Sequence, residues 1–370
     1  MRIVMTGARG FIGQNLRVRL REQGHADIVT LTYDADDAAM VAAVTGADVV
    51  FHLAGVNRPK DDSGFVDGNT DFTRRIVGAL TSAGAVPAIV YASSTQAALD
   101  NAYGRSKRAA EDALLAFGEA HGSPIHLFRL TNVFGKWSRP HYNSAVATFC
   151  HQVARDLPIA VNDPAAPLRL SYIDDVITAF LELLAARPAT RGFVDAGPVH
   201  ETTVGVLADT IRSFAVSRST LVTPPVGTGF VRALYATYVS FLPPTSFEYT
   251  VARHEDPRGV FVEMLKTPDA GQFSYFTAWP GITRGEHYHH TKTEKFLVIK
   301  GKAHFGFRQI ETGERHELVV TGGEARIVET IPGWTHNITN VGDDELIVML
   351  WANEIFDRAR PDTIAMKVNP

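Results

Sequence analysis

The chain is short of cysteine, of charge of one sign and of long apolar runs, and each shortage excludes something. Cys150 is the single cysteine, so an intramolecular disulfide is excluded. A reducing, cytoplasmic setting is the expectation. Lys and Arg number 36 against 40 Asp and Glu, a net charge of −4. That balance supplies no basic surface for a polyanion, so nucleic acid is not an expected partner. No apolar run approaches the ~18 residues of a membrane-spanning helix, so no membrane span is expected. The opening "MRIVMTGARG" enters a strand-like run without the apolar region and cleavage site of a signal peptide. Repeats of fixed period and low-complexity segments are also missing. What is present is ordinary globular composition, 45% hydrophobic and 21% charged, over 370 residues. That length is too great for one ordinary core and predicts two domains.

The first half alternates short apolar runs with amphipathic stretches. "RIVMTG", "DIVTLT", "DVVFHLAG", "AIVYASS" and "IHLFRLTNVFG" read as buried strands, with helical patterns such as "DFTRRIVGALTSAG" between them. Strand–helix alternation with continuously apolar strands predicts a doubly wound parallel sheet covered on both faces, an α/β Rossmann-type fold. The pattern changes after about residue 222, where two Pro-Pro pairs flank "FVRALYATYVSFL", a linker with a short helix. From Arg253 onward short strands broken by Gly, Pro and Asp predict an all-β barrel or jelly roll. The expected domains are a dinucleotide-binding domain with its linker at 1–243 and a barrel domain at 244–370.

"TGARGFIG" places Gly7, Gly10 and Gly13 after a strand and at the opening of a helix. Glycine permits the tight turn and close approach to a pyrophosphate, and the helix N-terminus offers unpaired amides. "YGRSK" puts Tyr103 one helical turn before Lys107. An ammonium beside a phenol favours the phenolate and makes the tyrosine a better proton donor and acceptor near neutral pH. "YASST" offers Ser93, Ser94 and Thr95 as hydroxyls for a substrate carbonyl. Together these signals resemble the extended short-chain dehydrogenase/reductase family over about residues 1–222. The resemblance implies Ser94, Tyr103 and Lys107 as the catalytic set, with Thr95 the lesser choice for the hydroxyl. It implies cofactor contacts at Gly7, Arg9, Gly10, Phe11, Ile12 and Gly13, at Leu53 and Ala54 of "HLAG", and at Tyr103 and Lys107. It also implies substrate contact at Asn132 of "RLTNVFG"; Asn143 is a second candidate. An acidic residue at the end of the second strand would hold the ribose of NAD, but Thr32 stands there and Asp34 comes two residues late. Arg9 could meet a 2′-phosphate. NADPH is therefore the expected cofactor, with NADH the alternative.

In the second half, "GEHYHHTKTE" sets His287 and His289 two apart, on one side of an extended segment, with Glu294 five residues later and His336 more than forty further on. Such a mixed nitrogen and oxygen set suits zinc, iron, manganese or nickel. The spacing resembles the cupin family, in its first motif from Gly281 to Gly301 and more loosely in "PGWTHNITN". "DPRGVFVEMLKTPDAGQFSYFTAWPGITRGEHYHH" also resembles the deoxysugar-nucleotide 3,5-epimerases, in which the His at position 287 would be a base. One imidazole nitrogen cannot be ligand and free base at once. The metal set takes precedence, and His290, Lys295 or a metal-bound water remain the candidate bases.

Both halves together resemble a family of bifunctional enzymes of capsular polysaccharide synthesis, over nearly the whole chain, including "HLAGVNRP", "NVFGKW" and "EKFLV". That resemblance implies a homodimer with Zn2+ in the cupin and a UDP-linked 4-keto-6-deoxy amino sugar as substrate. The cupin would epimerise UDP-2-acetamido-2,6-dideoxy-xylo-4-hexulose at C3. The reductase domain would then reduce C4 with NADPH to a UDP-6-deoxy-talosamine, on the route to N-acetylfucosamine. The competing expectation is a plain nucleotide-sugar 4-reductase whose cupin only builds the dimer.

Overall fold

The computed structural model describes residues 1–370 except 257–258, 263–264, 266–270 and 355–358. The chain divides into two compact units, Met1–Arg139 with Leu168–Glu201, and Pro140–Pro167 with Thr202–Pro370.

The first unit is built on a six-stranded sheet. Its order is Ile28–Leu31, Ile3–Thr6, Val49–His52, Ala88–Ser94, Ile125–Leu130, Arg191–Phe193. Every neighbouring pair is parallel. "IVMT" and "VVFH" are buried at all four positions, as strands covered on both faces must be. Val4, Val50, Ile89 and Leu127 pack beneath Phe72, Ile76, Leu80 and Leu114 of the covering helices. Helix ends follow local chemistry. Asp36 accepts from the Ala39 amide at 2.7 Å to start Asp37–Val44, and Asn101 accepts from Gly104 at 2.7 Å to start Ala102–His121. Left-handed Gly84 and Gly122 stop the helices Phe72–Ala83 and Ala102–His121. The chain passes from the first strand to one neighbour and then crosses to the other. That switch point opens a crevice at the carboxyl ends of the strands.

The second unit begins with the helices Ala145–Val153, Val204–Thr220 and Gly229–Ser240. The last lies in the segment read from sequence as a linker. Its Tyr235 packs edge-on to Phe214 with ring centroids 5.1 Å apart. Two five-stranded antiparallel sheets follow. One runs Glu248–Thr250, Arg326–Glu329, Glu294–Lys300, Leu346–Ala352, Gln272–Ala278, and the other Arg315–Thr321, Lys302–Gln309, Trp334–Asn340, Thr283–Tyr288, Ile364–Ala365. Phe296 of the first sheet and Phe305 of the second face each other at 5.9 Å. This is the all-β domain expected from the strand spacing, and it is cupin-like, as the motif resemblance implied. Part of "DPRGVFVEMLKTPDAGQ" lies outside the described residues. Among the described residues no helix is long and apolar enough to cross a membrane.

Candidate functional site

The glycine loop and the third strand enclose a cavity of about 720 Å3 in the first unit. Gly7 has φ +66°, and a Cβ there would stand 2.6 Å from the Ala54 amide. A Cβ on Gly13 would fall 2.2 Å from the Gly7 carbonyl. Both positions therefore require glycine for loop, helix and strand to close together. The helix Phe11–Glu22 starts at Gly10 with no side-chain cap, which leaves its first amides for an anion. Gly7, Arg9, Gly10, Thr32, Leu53 and Ala54 line the cavity. Phe11, Ile12 and Gly13 sit in the first turn of the helix and are not on its lining. Arg17, one face further along that helix, does line it, together with Arg9.

Beneath the cavity, Thr6 accepts the amides of Leu53 and Ala54, each at 3.1 Å, and its hydroxyl lies 2.8 Å from His52 Nδ1. Having accepted twice, that hydroxyl donates to Nδ1, so the imidazole carries its proton on Nε2 and donates it to Thr73 Oγ1 at 2.8 Å. Thr73 in turn donates to the Asn69 carbonyl at 2.7 Å. Burial, with the Lys107 charge adding to it, lowers the His52 pKa to about 3.

Tyr103 and Lys107 lie on one face of the helix Ala102–His121. The Lys107 ammonium is buried, donates to the Ala92 carbonyl at 2.7 Å and sits 4.4 Å over the Tyr91 ring. Burial brings its pKa down to about 7, with Glu111 working in the opposite direction. Ser93 donates to Glu111 at 2.5 Å, and Arg129 holds the same carboxylate through two nitrogens at 3.0 and 2.6 Å. Ser93 is thus committed. Ser94, half-buried at the strand end, accepts the Gln96 amide at 3.2 Å, which leaves its O–H to donate, whereas Thr95 is exposed. A Cβ on Gly55 would meet Asn69 Oδ1 at 2.9 Å and Lys107 Nζ at 3.5 Å, so the end of "HLAG" must be bare to approach the lysine.

Asn69 was not anticipated from sequence. It lies in a π-helical stretch, Val66–Asp71, and pairs with both backbone groups of Val56 at 2.9 Å while donating to Ser106 Oγ at 3.0 Å. It ties the cavity-lining loop to the helix between Tyr103 and Lys107. Asn132 is exposed at the head of a short strand, and Asn143 is exposed beside Ser144, which caps the helix Ala145–Val153. Neither lines a described cavity. The helix Ile173–Ala186 starts at Tyr172 with no side-chain cap bond. Asp174 in its first turn pairs with the buried Lys136 at 2.9 Å instead of capping.

In the second unit the ligand atoms of His287, His289, Glu294 and His336 all lie within 4.8 Å of one another. His287, Glu294 and His336 line a cavity of about 350 Å3, walled by Phe276, Phe296, Phe305 and Phe307; His289 is not on its lining. Burial lowers the pKa of His287 to about 3 and lowers that of His336 too, so both rings are neutral. Burial would raise the Glu294 carboxyl, but His289, His336 and Lys292 hold it well below the usual range. His287 Nδ1 lies 3.1 Å from the Gly285 carbonyl and His289 Nδ1 bonds the Asp362 carbonyl. Both rings therefore carry their proton on Nδ1 and turn a bare Nε2 inward. Glu294 Oε2 is 3.2 Å from His289 Nε2, while Oε1 is held by Lys292 Nζ at 2.9 Å. His336 is buried, and among the described residues neither of its ring nitrogens has a hydrogen-bond partner. Four converging donors and one orphaned imidazole fit a divalent metal of the zinc or iron type.

Of the bases named from sequence, Lys295 is displaced. Strand alternation turns it away from Glu294, and it is buried against Glu329 and Tyr249, the latter at 2.9 Å. Burial would lower its pKa, but the Glu329 carboxylate raises it above the usual lysine value, the reverse of what a base needs. His290 is buried and is not on the cavity lining; Lys292, not singled out from sequence, is.

The model of the NAD dependent epimerase/dehydratase family matches residues 3–194, and that of the polysaccharide biosynthesis C-terminal domain matches residues 254–364. A curated relative, the UDP-2-acetamido-2,6-beta-L-arabino-hexul-4-ose reductase of Pseudomonas aeruginosa, is 52% identical over 368 residues, covering 100% of this chain and 99% of its own. The solved capsular polysaccharide assembling protein CapF of Staphylococcus aureus is 40% identical over 100% of both chains, with a TM-score of 0.68. A structure of CapF with the inhibitor 3-isopropenyl-tropolone aligns at 35% identity over 100% of both chains, with a TM-score of 0.63. The UDP-glucose 4-epimerase of Thermus thermophilus in complex with NAD shares the fold, at 21% identity over 58% of this chain and 84% of that one, with a TM-score of 0.51.

Proposed function

The chain belongs to the NAD dependent epimerase/dehydratase family and is a full-length relative of CapF, and from that premise we propose that it is a bifunctional UDP-sugar enzyme. In this reading residues 1–243 reduce C4 of a UDP-linked 4-keto-6-deoxy acetamido sugar, and residues 244–370 first epimerise it at C3. The substrate is UDP-2-acetamido-2,6-dideoxy-xylo-4-hexulose and the product a UDP-6-deoxy-talosamine. The observation that carries the reading is the buried Lys107 one turn from Tyr103, beside the Ser94 strand end and the glycine-loop cavity. The curated relative's name, a hexul-4-ose reductase, supports the same chemistry.

Ser94 donates to the C4 carbonyl oxygen and holds it. Tyr103 protonates that oxygen as the carbonyl is reduced, and Lys107 makes the phenolate accessible near neutral pH. When bound, the nicotinamide cofactor supplies the hydride. Arg9 and Arg17 on the cavity lining, with Thr32 where an acidic residue would favour NAD, support NADPH over NADH. In the barrel, His287, His289, Glu294 and His336 would hold a metal, zinc by preference, and its charge would stabilise an enolate. Tropolones present a chelating oxygen pair, so the tropolone inhibitor of CapF supports a metal here. Lys292 lines the same cavity and is placed to stabilise developing negative charge. Epimerisation comes first, because reduction removes the carbonyl that acidifies C3–H. The enzyme acts as a cytoplasmic homodimer in this reading.

The test is turnover of the keto-sugar nucleotide with NADPH or NADH by the native chain and by Tyr103→Phe. A C4-reduced product from the native chain, favouring NADPH, with the variant inactive, is expected. NADPH-independent behaviour, or an unaffected variant, refutes it.

A further inference from the structure

The C-terminal stretch is fastened to the strand and loop that carry the metal-type histidines. Strand Ile364–Ala365 pairs with Tyr288 and His287. The Met366 amide donates to the Glu286 carbonyl at 2.8 Å, and the Val368 amide to the Glu286 carboxylate at 2.7 Å. Glu286 sits at φ +58° on a bulge between Gly285 and His287, a left-handed conformation that a non-glycine residue adopts only when its surroundings hold it. Asn337 donates to the same carboxylate at 2.8 Å.

The strongest of these ties is made by one residue. Asp362 Oδ1 accepts the His290 amide at 2.9 Å. Its Oδ2 accepts the amides of Thr291 and Lys292 at 2.6 and 2.7 Å and the Thr291 hydroxyl at 2.9 Å. Its main-chain carbonyl accepts from His289 Nδ1. Arg232, bonded to Thr291 and to Glu354 at 2.6 Å, reaches within 4.0 Å of the carboxylate. The loop between His289 and Glu294 is therefore shaped from the C-terminal side, more than seventy residues away in sequence.

We propose that Asp362 is the positioning residue of the metal centre: its carboxylate sets the 290–292 loop, and the carbonyl so fixed sets the ring of His289. A histidine ligand whose second nitrogen is not held loses its orientation, at a cost of about 10–100-fold in metal affinity. The inference rests on reading His287, His289, Glu294 and His336 as a metal site.

The test uses the full chain, stripped with a chelator and reloaded with Zn2+ or Co2+. Native protein, Asp362→Asn and Asp362→Ala are compared by chelator competition and by the Co2+ absorption spectrum, with near-ultraviolet circular dichroism as the check on folding. The Asn variant keeps one acceptor oxygen and the Ala variant none. Metal affinity should fall in the order native, Asn, Ala, by about tenfold or more for Asn, and the Co2+ bands should shift. Unchanged affinity and spectrum in the folded Asn variant overturn the proposal, even if the Ala variant fails to fold. Absence of stoichiometric metal binding by the native chain overturns both this inference and the metal reading beneath it. Tight native binding with an unaffected Asn variant overturns this inference alone.

Discussion

His52 and His336 are both buried, one in each unit, at 1% and 4% exposure, and burial lowers the pKa of both. Their surroundings differ completely. His52 has a threonine hydroxyl at 2.8 Å on each ring nitrogen, and each hydroxyl has its own further partner. Among the described residues His336 has no hydrogen bond on either nitrogen, and Glu294 Oε2 stands 3.6 Å from its Nε2, beyond hydrogen-bond reach. A buried polar group left unpaired costs about 1–3 kcal/mol. A fold keeps such a group when something else is to occupy the position. The satisfied histidine is architecture; the orphaned one fits the ligand role proposed for it.

That contrast can be broken by mutation. The largest expected effect lies outside both histidines. Tyr103→Phe should lower the reduction rate by about 10²–10⁴-fold, measured by NADPH consumption, while metal content stays at the native level. His336→Ala should abolish tight metal binding, read by elemental analysis after dialysis, with little loss of thermal stability in the metal-free protein, since no hydrogen bond is lost. His52→Ala should do the reverse. It strands Thr6 and Thr73, costs about 1–3 kcal/mol in urea melts, and leaves metal content unchanged. Equal destabilisation by the two substitutions would erase the distinction drawn between them.

A further effect is a pH dependence. The folded-state pKa of Lys107 is depressed, from 10.5 to about 7, by burial. Between those values the unfolded chain binds a proton that the folded chain does not, so stability rises with pH across that window. Below about 7 both states are protonated and the cost of the buried ammonium is constant. The difference in urea-melt stability between the cofactor-free native chain and Lys107→Met should therefore shift in favour of the native chain from pH 7 towards 10. A flat difference would contradict the buried, perturbed lysine.

Much of this was legible in the sequence. Gly7, Gly10 and Gly13, and likewise Tyr103 and Lys107, are separated by spacings that local geometry converts directly into position, a tight turn in one case and one helical turn in the other. His287 and His289 share a side for the same reason, although the bulge at Glu286 is what lets the strand carry them as it does. Asn69 was not legible, because its role depends on a π-helical turn and on a contact to Val56 that sequence distance conceals. Asp362 was hidden in the same way. Lys295 was misjudged although its clue was local. In a strand, the residue after an inward Glu294 turns to the opposite face of the sheet, away from the cavity, and period-two alternation alone would have moved attention to Lys292 in the preceding loop.

The central claim is that both units are catalytic on one substrate, with the barrel acting first. The direct test is NMR of the UDP-linked 4-keto sugar turned over with NADPH in deuterium oxide. Deuterium at C3 of the C4-reduced product is the predicted result. A reduced product with only protium at C3 and unaltered C3 configuration would contradict it, leaving a reductase whose barrel serves structure.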